Sequence, residues 1–198
     1  MLTATDMKKS AMMRPLHGRT ALITGSTSGI GLGIAEAFAA DGHPVCVTRR
    51  ARNLDQAEAL AQKIRKAGGI AHAFGSDARE EAEATALFDT IEKDIGPIGI
   101  VVFNIGANVQ FGIRETTARV FHKVWEMACF AGFLAGRESA RVMVPRGRGT
   151  IIFTGATASV RGGSGYAAFA SAKAGLRMMA QSMARELGPK GLHIAHLV

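Results

Sequence analysis

The stretch TGSTSGIG, from Thr24 to Gly31, sets glycines at 25, 29 and 31 among small hydroxyl residues. Glycine lets a backbone turn tightly and approach a phosphate closely, and the amides of a helix opening in the same stretch meet the charge. On that reading Gly25, Ser26, Thr27, Ser28, Gly29, Ile30 and Gly31 cradle a pyrophosphate; otherwise the glycines mark an ordinary turn. Arg49 and Arg50 form a second candidate, because a guanidinium pairs with phosphate through parallel hydrogen bonds. The third is YAAFASAK, from Tyr166 to Lys173. It holds a phenol and an amine, yet four places before the lysine stands Phe169, whose ring donates no proton.

Position is what would turn these residues into a site. Short apolar runs, TALIT from Thr20, VCVT from Val45, IAHAF from Ile70, IVVF from Ile100, TIIFT from Thr150 and HIAHLV at the end, read as strands. Helical segments alternate with them: Ile34 to Ala40, Leu54 to Ala67, Glu81 to Lys93, a long helix ending near Met143, and one closing near Leu187. Gly42, Gly68, Gly69, Gly96 and Gly188 fall where those helices should stop. Strands alternating with helices imply right-handed crossovers and a parallel sheet covered on both faces. The expected fold is a Rossmann-type, doubly wound α/β domain in three layers. It spans residues 18–198, behind a mobile N-terminal arm over residues 1–17.

Bulk properties narrow the function. The 198 residues, 47% hydrophobic and 20% charged, suit one domain with a sizeable core. Cys46 and Cys129 lie in apolar runs with no secretory leader ahead of them, which predicts reduced thiols in the cytoplasm. No run approaches the ~20 apolar residues of a membrane span, so no membrane partner is expected. The net charge of +8 is scattered, without interleaved aromatics, and predicts no nucleic-acid partner. His193 and His196, three apart on a strand, point to opposite faces, so no metal site is expected.

From Gly18 onward the chain resembles the short-chain dehydrogenase/reductase family, on the glycine spacing above and on FNIGA after the fourth strand. That signature has Ile105 where the family carries alanine. The resemblance implies that Asn104 and Gly106 border a nicotinamide dinucleotide and that Asp77 meets its adenine; Asp77 can equally cap a helix. An acidic residue ending the second strand would favour NAD(H), whereas Thr48-Arg49-Arg50 favours NADP(H), with NAD(H) possible. A further NADP cue, a basic residue before the second glycine, is absent, since Ser28 holds that place.

In the family a tyrosine four residues ahead of a lysine moves the proton, an upstream serine orients the carbonyl, and an asparagine holds a relay water. Lys173 matches the lysine. Phe169, Ala156 and Ala128 occupy the tyrosine, serine and asparagine positions. Tyr166 lies about two helical turns, roughly 10 Å, before Lys173, too far to pair with it. Thr157 and Ser159 offer hydroxyls but no tuned acid. Nothing in the sequence marks a depressed Lys173 pKa, as a Schiff-base amine would need. The chain also ends where relatives continue into a last strand and a substrate cover, so the substrate is an unknown small molecule. A homodimer or homotetramer is expected through the helices Val120 to Met143 and Ala167 to Leu187. Two functions compete: an oxidoreductase with weak or atypical turnover, and an inactive dinucleotide-binding sensor or oligomer partner.

Overall fold

A computed structural model of the chain describes residues 19–198; Gly18 and the arm expected over residues 1–17 lie outside the described residues. The strands are β1 (Thr20–Thr24), β2 (Val45–Arg49), β3 (Ala71–Gly75), β4 (Ile98–Phe103), β5 (Gly149–Thr154) and β6 (Leu192–Leu197). The helices are α1 (Gly29–Ala40), α2 (Leu54–Lys66), α3 (Glu81–Asp94), α4 (Ala118–Trp125), α5 (Ala131–Met143) and α6 (Ala167–Leu187). All strand pairs are parallel, in the order β3-β2-β1-β4-β5-β6. The order reverses between β1 and β4, and the crevice at the strands' carboxyl ends there is where open α/β sheets take ligands.

Alternation along each strand builds two cores. Leu22, Val101, Phe103, Ile151 and Phe153 pack one face of the sheet against α3, α5 and α6. Ala21, Ile23, Val45, Val47, Ile100 and Val102 pack the other against α1 and α2. Helix α2 shows how pattern becomes packing: Ala57, Leu60, Ala61 and Ile64 are its buried residues, at helical spacing. Asp55 sits in its first turn and Lys63, Arg65 and Lys66 in its last, which suits the helix dipole. Gly42, Gly68 and Gly96 all adopt positive φ where a helix ends.

The structure differs from the expected elements in two places. Helix α1 opens at Gly29, five residues ahead of the segment around Ile34 and inside the glycine stretch where the sequence predicts a helix start. The single helix expected up to Met143 is instead α4, a π-helical turn at Glu126–Phe130, and α5. Such turns mark places where the backbone ladder slips to re-aim side chains. Among the described residues no helix is long and apolar enough to cross a membrane. Cys46 and Cys129 are both free and buried.

Candidate functional site

Backbone geometry at the end of β1 comes first. Gly25 and Gly29 have φ of 64° and 54°, values that favour glycine. Gly31 is buried against the start of its own turn: a Cβ there would lie 2.2 Å from Gly25 O and 2.7 Å from Asn104 Nδ2. The turn is pinned from both sides. Ser26 Oγ accepts the Thr48 amide at 3.1 Å, and Asn104 Nδ2 donates to Gly25 O at 3.2 Å. Asn104 N in turn donates to Thr24 Oγ1 at 3.2 Å. Ser28 precedes α1 without a side-chain cap, and α1 has no acidic residue in its first turn, so the helix-opening amides are left for an anion. Ile30 is exposed on that turn.

A cleft of about 290 Å³ runs from this turn over the ends of β2, β3 and β4, and Arg49, Arg50, Asp77 and Gly106 line it. Among the described residues three buried side-chain polar atoms have no hydrogen-bond partner: Thr27 Oγ1, Arg49 Nε and Ser76 Oγ. Arg49 and Ser76 line the cleft, and Thr27 belongs to the turn at its edge. Buried groups of this kind are rare because each costs about 1–3 kcal/mol. Their position fits a ligand that brings its own donors and acceptors, as a phosphate-bearing dinucleotide does.

Asp77 stands in the cleft but does not cap α3, which begins at Glu81 behind Glu80. The reason is a competing partner. Asp77 Oδ1 accepts from Arg79 Nε at 2.9 Å and Oδ2 from Arg79 Nη2 at 2.5 Å. Arg79 Nη1 also reaches Glu126 Oε2, at 3.4 Å, on the π-helical turn. The Arg79 hydrogen bond holds the Asp77 carboxyl below the usual range against the opposing effect of burial, aided by the Arg79 amide and the charges of Arg79 and Arg50. Arg79, two residues beyond Asp77, was not singled out in the sequence. Its one signal there is its place in SDAR, after a strand whose end faces the crevice.

Behind Gly106, the corner next to the cleft is of another kind. Lys173, only 3% exposed, donates from Nζ to Thr154 O at 2.8 Å and to Ile105 O at 3.1 Å. Burial pushes its pKa down to about 8, so the depressed value that the sequence did not signal is present. The Phe169 ring lies 6.0 Å from Nζ. A Cβ on Gly106 would lie 3.8 Å from Nζ and 3.9 Å from the Phe169 ring, so amine, ring and glycine share one corner. Around them Phe169, Ala128, Ala172 and Val124 form an apolar cluster, against which Ala156 and Tyr166 pack.

The proposed helpers are placed as follows. Tyr166 immediately precedes α6, half-buried on that cluster. Thr157 is exposed at the head of a short 3-10 turn. Ser159 is buried and committed: its hydroxyl accepts the Ala156 amide at 3.1 Å and lies 3.3 Å from His196 Nε2. It is therefore not free to stand in for a serine at position 156.

Residues 19–198 match the sequence model of a family described as short chain dehydrogenase. A crystal structure of a short-chain dehydrogenase from Rhodopseudomonas palustris is 54% identical, with a TM-score of 0.86, over 90% of this chain and 83% of that one. The 3-oxoacyl-[acyl-carrier-protein] reductase MabA of Mycobacterium tuberculosis is 32% identical, over 93% of this chain and 68% of its own length. An NADP-dependent (R)-specific alcohol dehydrogenase of Lentilactobacillus kefiri is 33% identical, over 88% and 69%.

Proposed function

Because the chain belongs to the short-chain dehydrogenase family, we propose that it is an NADP(H)-binding oxidoreductase whose proton-transfer apparatus is degenerate and whose turnover is weak or atypical. One observation carries this reading. The cleft keeps its glycine turn, its arginines and unpartnered polar atoms, while the corner behind its Gly106, at Lys173, is packed with Phe169, Ala128 and Ala156. A bound nicotinamide supplies or takes the hydride. Gly25 to Gly31 hold the pyrophosphate, Asn104 and Gly106 border the dinucleotide, and Arg49 and Arg50 select the form with the extra phosphate. Lys173 holds the nicotinamide ribose. Reduction of a carbonyl also needs a proton at its oxygen, and a general acid contributes about a hundred- to ten-thousand-fold. Phe169 cannot supply it, which leaves Tyr166, Thr157 or water.

The same apolar packing favours a second reading, a dinucleotide-binding sensor or assembly partner without chemistry. Assembly with a second copy is supported by the helix face where Trp125, Phe130 and Phe133 stack at 5.8 and 6.0 Å. Trp125, Phe133 and Phe121 are exposed there, as rings awaiting cover would be. The free, buried thiols agree with a reducing compartment, the cytoplasm. Titration with NADPH and NADH, then turnover with a carbonyl panel on the same sample, tests the proposal. Tighter binding of NADPH with slow turnover supports it. Tight binding with none favours the sensor, and no binding removes both.

A further inference from the structure

The selective end of the cleft contains a charge of the wrong sign for a phosphate. Asp77 lines it together with Arg49 and Arg50, and a carboxylate there both repels a phosphate and attracts the guanidiniums meant for it. Among the described residues neither Arg49 nor Arg50 forms an ion pair, and Arg49 Nε is buried without a partner. Asp77, by contrast, is fully engaged. Its two oxygens accept from two nitrogens of Arg79, and Oδ1 also takes the Arg79 amide at 3.2 Å. The guanidinium is itself held from its other side by Glu126, on the π-helical turn. A planar fork fixed at both ends is confined to a narrow set of positions.

We infer that Arg79 is a positioning residue for dinucleotide selectivity: it takes up the charge of Asp77, and so leaves Arg49 and Arg50 to a phosphate monoester on the adenosine ribose. The inference rests on the proposed preference for the 2′-phosphorylated cofactor. Arg79 acts through Asp77 in this arrangement, without touching the phosphate. That makes it separable from Arg49 and Arg50 by charge balance alone, because removing Arg79 and the Asp77 charge together restores the net charge of the cleft.

The experiment measures, by calorimetry, binding of adenosine 2′,5′-bisphosphate and of 5′-AMP to the intact chain and takes the ratio of the two affinities. Contacts to adenine and to the 5′-phosphate cancel in that ratio, and retained 5′-AMP binding reports that a variant is folded. Arg79→Gln is expected to lower the preference for the bisphosphate roughly five- to tenfold, the effect of one charge across a half-exposed cleft. The pair Asp77→Asn with Arg79→Gln is expected to return it to within about twofold of the unaltered protein. Asp77→Asn alone should keep or raise the preference, which gives a test that spares the Arg79–Glu126 bridge. An unchanged ratio in Arg79→Gln, a loss that persists in the double variant, or a fall in Asp77→Asn overturns the inference while the cofactor proposal stands. An unaltered protein that shows no preference for the bisphosphate overturns both.

Discussion

In the cleft over β2 and β3, Arg49 Nε and Ser76 Oγ are buried without partners, whereas in the neighbouring corner beyond β5 the buried Lys173 and Ser159 are satisfied within the fold. Lys173 donates to two carbonyls, and Ser159 Oγ accepts an amide. Phe169, Ala128 and Ala156, at the three positions beside Lys173 where hydroxyl or amide groups would serve proton transfer, are apolar. Unsatisfied polar atoms cost stability, so they are tolerated where a ligand returns the lost hydrogen bonds. A satisfied, apolar corner is stable without one. On the proposed reading the comparison separates binding from chemistry: the cleft keeps unsatisfied polar atoms for a dinucleotide, while the corner at Lys173 is filled by packing.

The sharpest way to break the comparison is at the glycine turn. Gly31→Val puts side-chain atoms where a Cβ alone would sit 2.2 Å from Gly25 O, so the turn must open. Loss of NADPH binding by at least about a hundredfold is expected, while most helix remains by circular dichroism. Gly29→Ala makes the contrast, since a Cβ there meets nothing within 4 Å and suffers only from the φ of 54°. Its cost should be about 1 kcal/mol. Unchanged affinity in folded Gly31→Val would remove the binding half of the argument.

The chemical half is sharpened by restoring what is missing. Phe169→Tyr with Ala156→Ser sets a phenol in the corner that Lys173 and Gly106 share, with a hydroxyl at the end of β5. Turnover of NADPH with ketones or aldehydes should rise about tenfold or more, toward the lower range for a general acid, because Ala128 stays apolar. Equal rates before and after would show that the apolar corner does not limit the reaction.

Sheet and glycine turn were legible because their signals are local. Period-two alternation places Ile100 and Val102 on one face and Val101 and Phe103 on the other. Glycines at positive φ announce the helix ends. Phe169 and Ala156 could be placed by counting back from Lys173 and Ala128 from WEMACFAGF on the preceding helix, and the structure gathers them into one cluster. What stayed hidden depends on distance along the chain. Arg79 meets Glu126 from 47 residues away and Ser159 meets His196 from 37, and neither pairing has a sequence signature. The π-helical turn occupies EMACF, residues with no helix breaker among them, so its slip comes from packing. The depressed Lys173 pKa likewise comes from burial, which a lysine in YAAFASAK does not announce.

That burial yields the smallest effect and the most direct test of the apolar corner. The ordinary pKa of lysine is 10.5, and in the folded protein burial pushes Lys173 down to about 8. Between those values the unfolded chain holds a proton that the folded chain releases, so stability rises with pH, by at most about 1.4 kcal/mol per unit for one group. Below pH 8 both states are protonated and the contribution is flat. Burial also pushes the Cys46 thiol up to about 12, which works in the opposite direction at alkaline pH, so the unaltered protein alone is not diagnostic. The difference from Lys173→Met is, because Cys46 is common to both chains. Urea unfolding at pH 6.5, 7.5, 8.5 and 9.5 should show that difference constant at the two lower values. Between the two higher ones it should shift by about 1 kcal/mol in favour of the unaltered protein. A difference that is flat throughout would mean that water reaches the amine, and the contrast between a polar, waiting cleft and the packed, apolar corner beside it would fail with it.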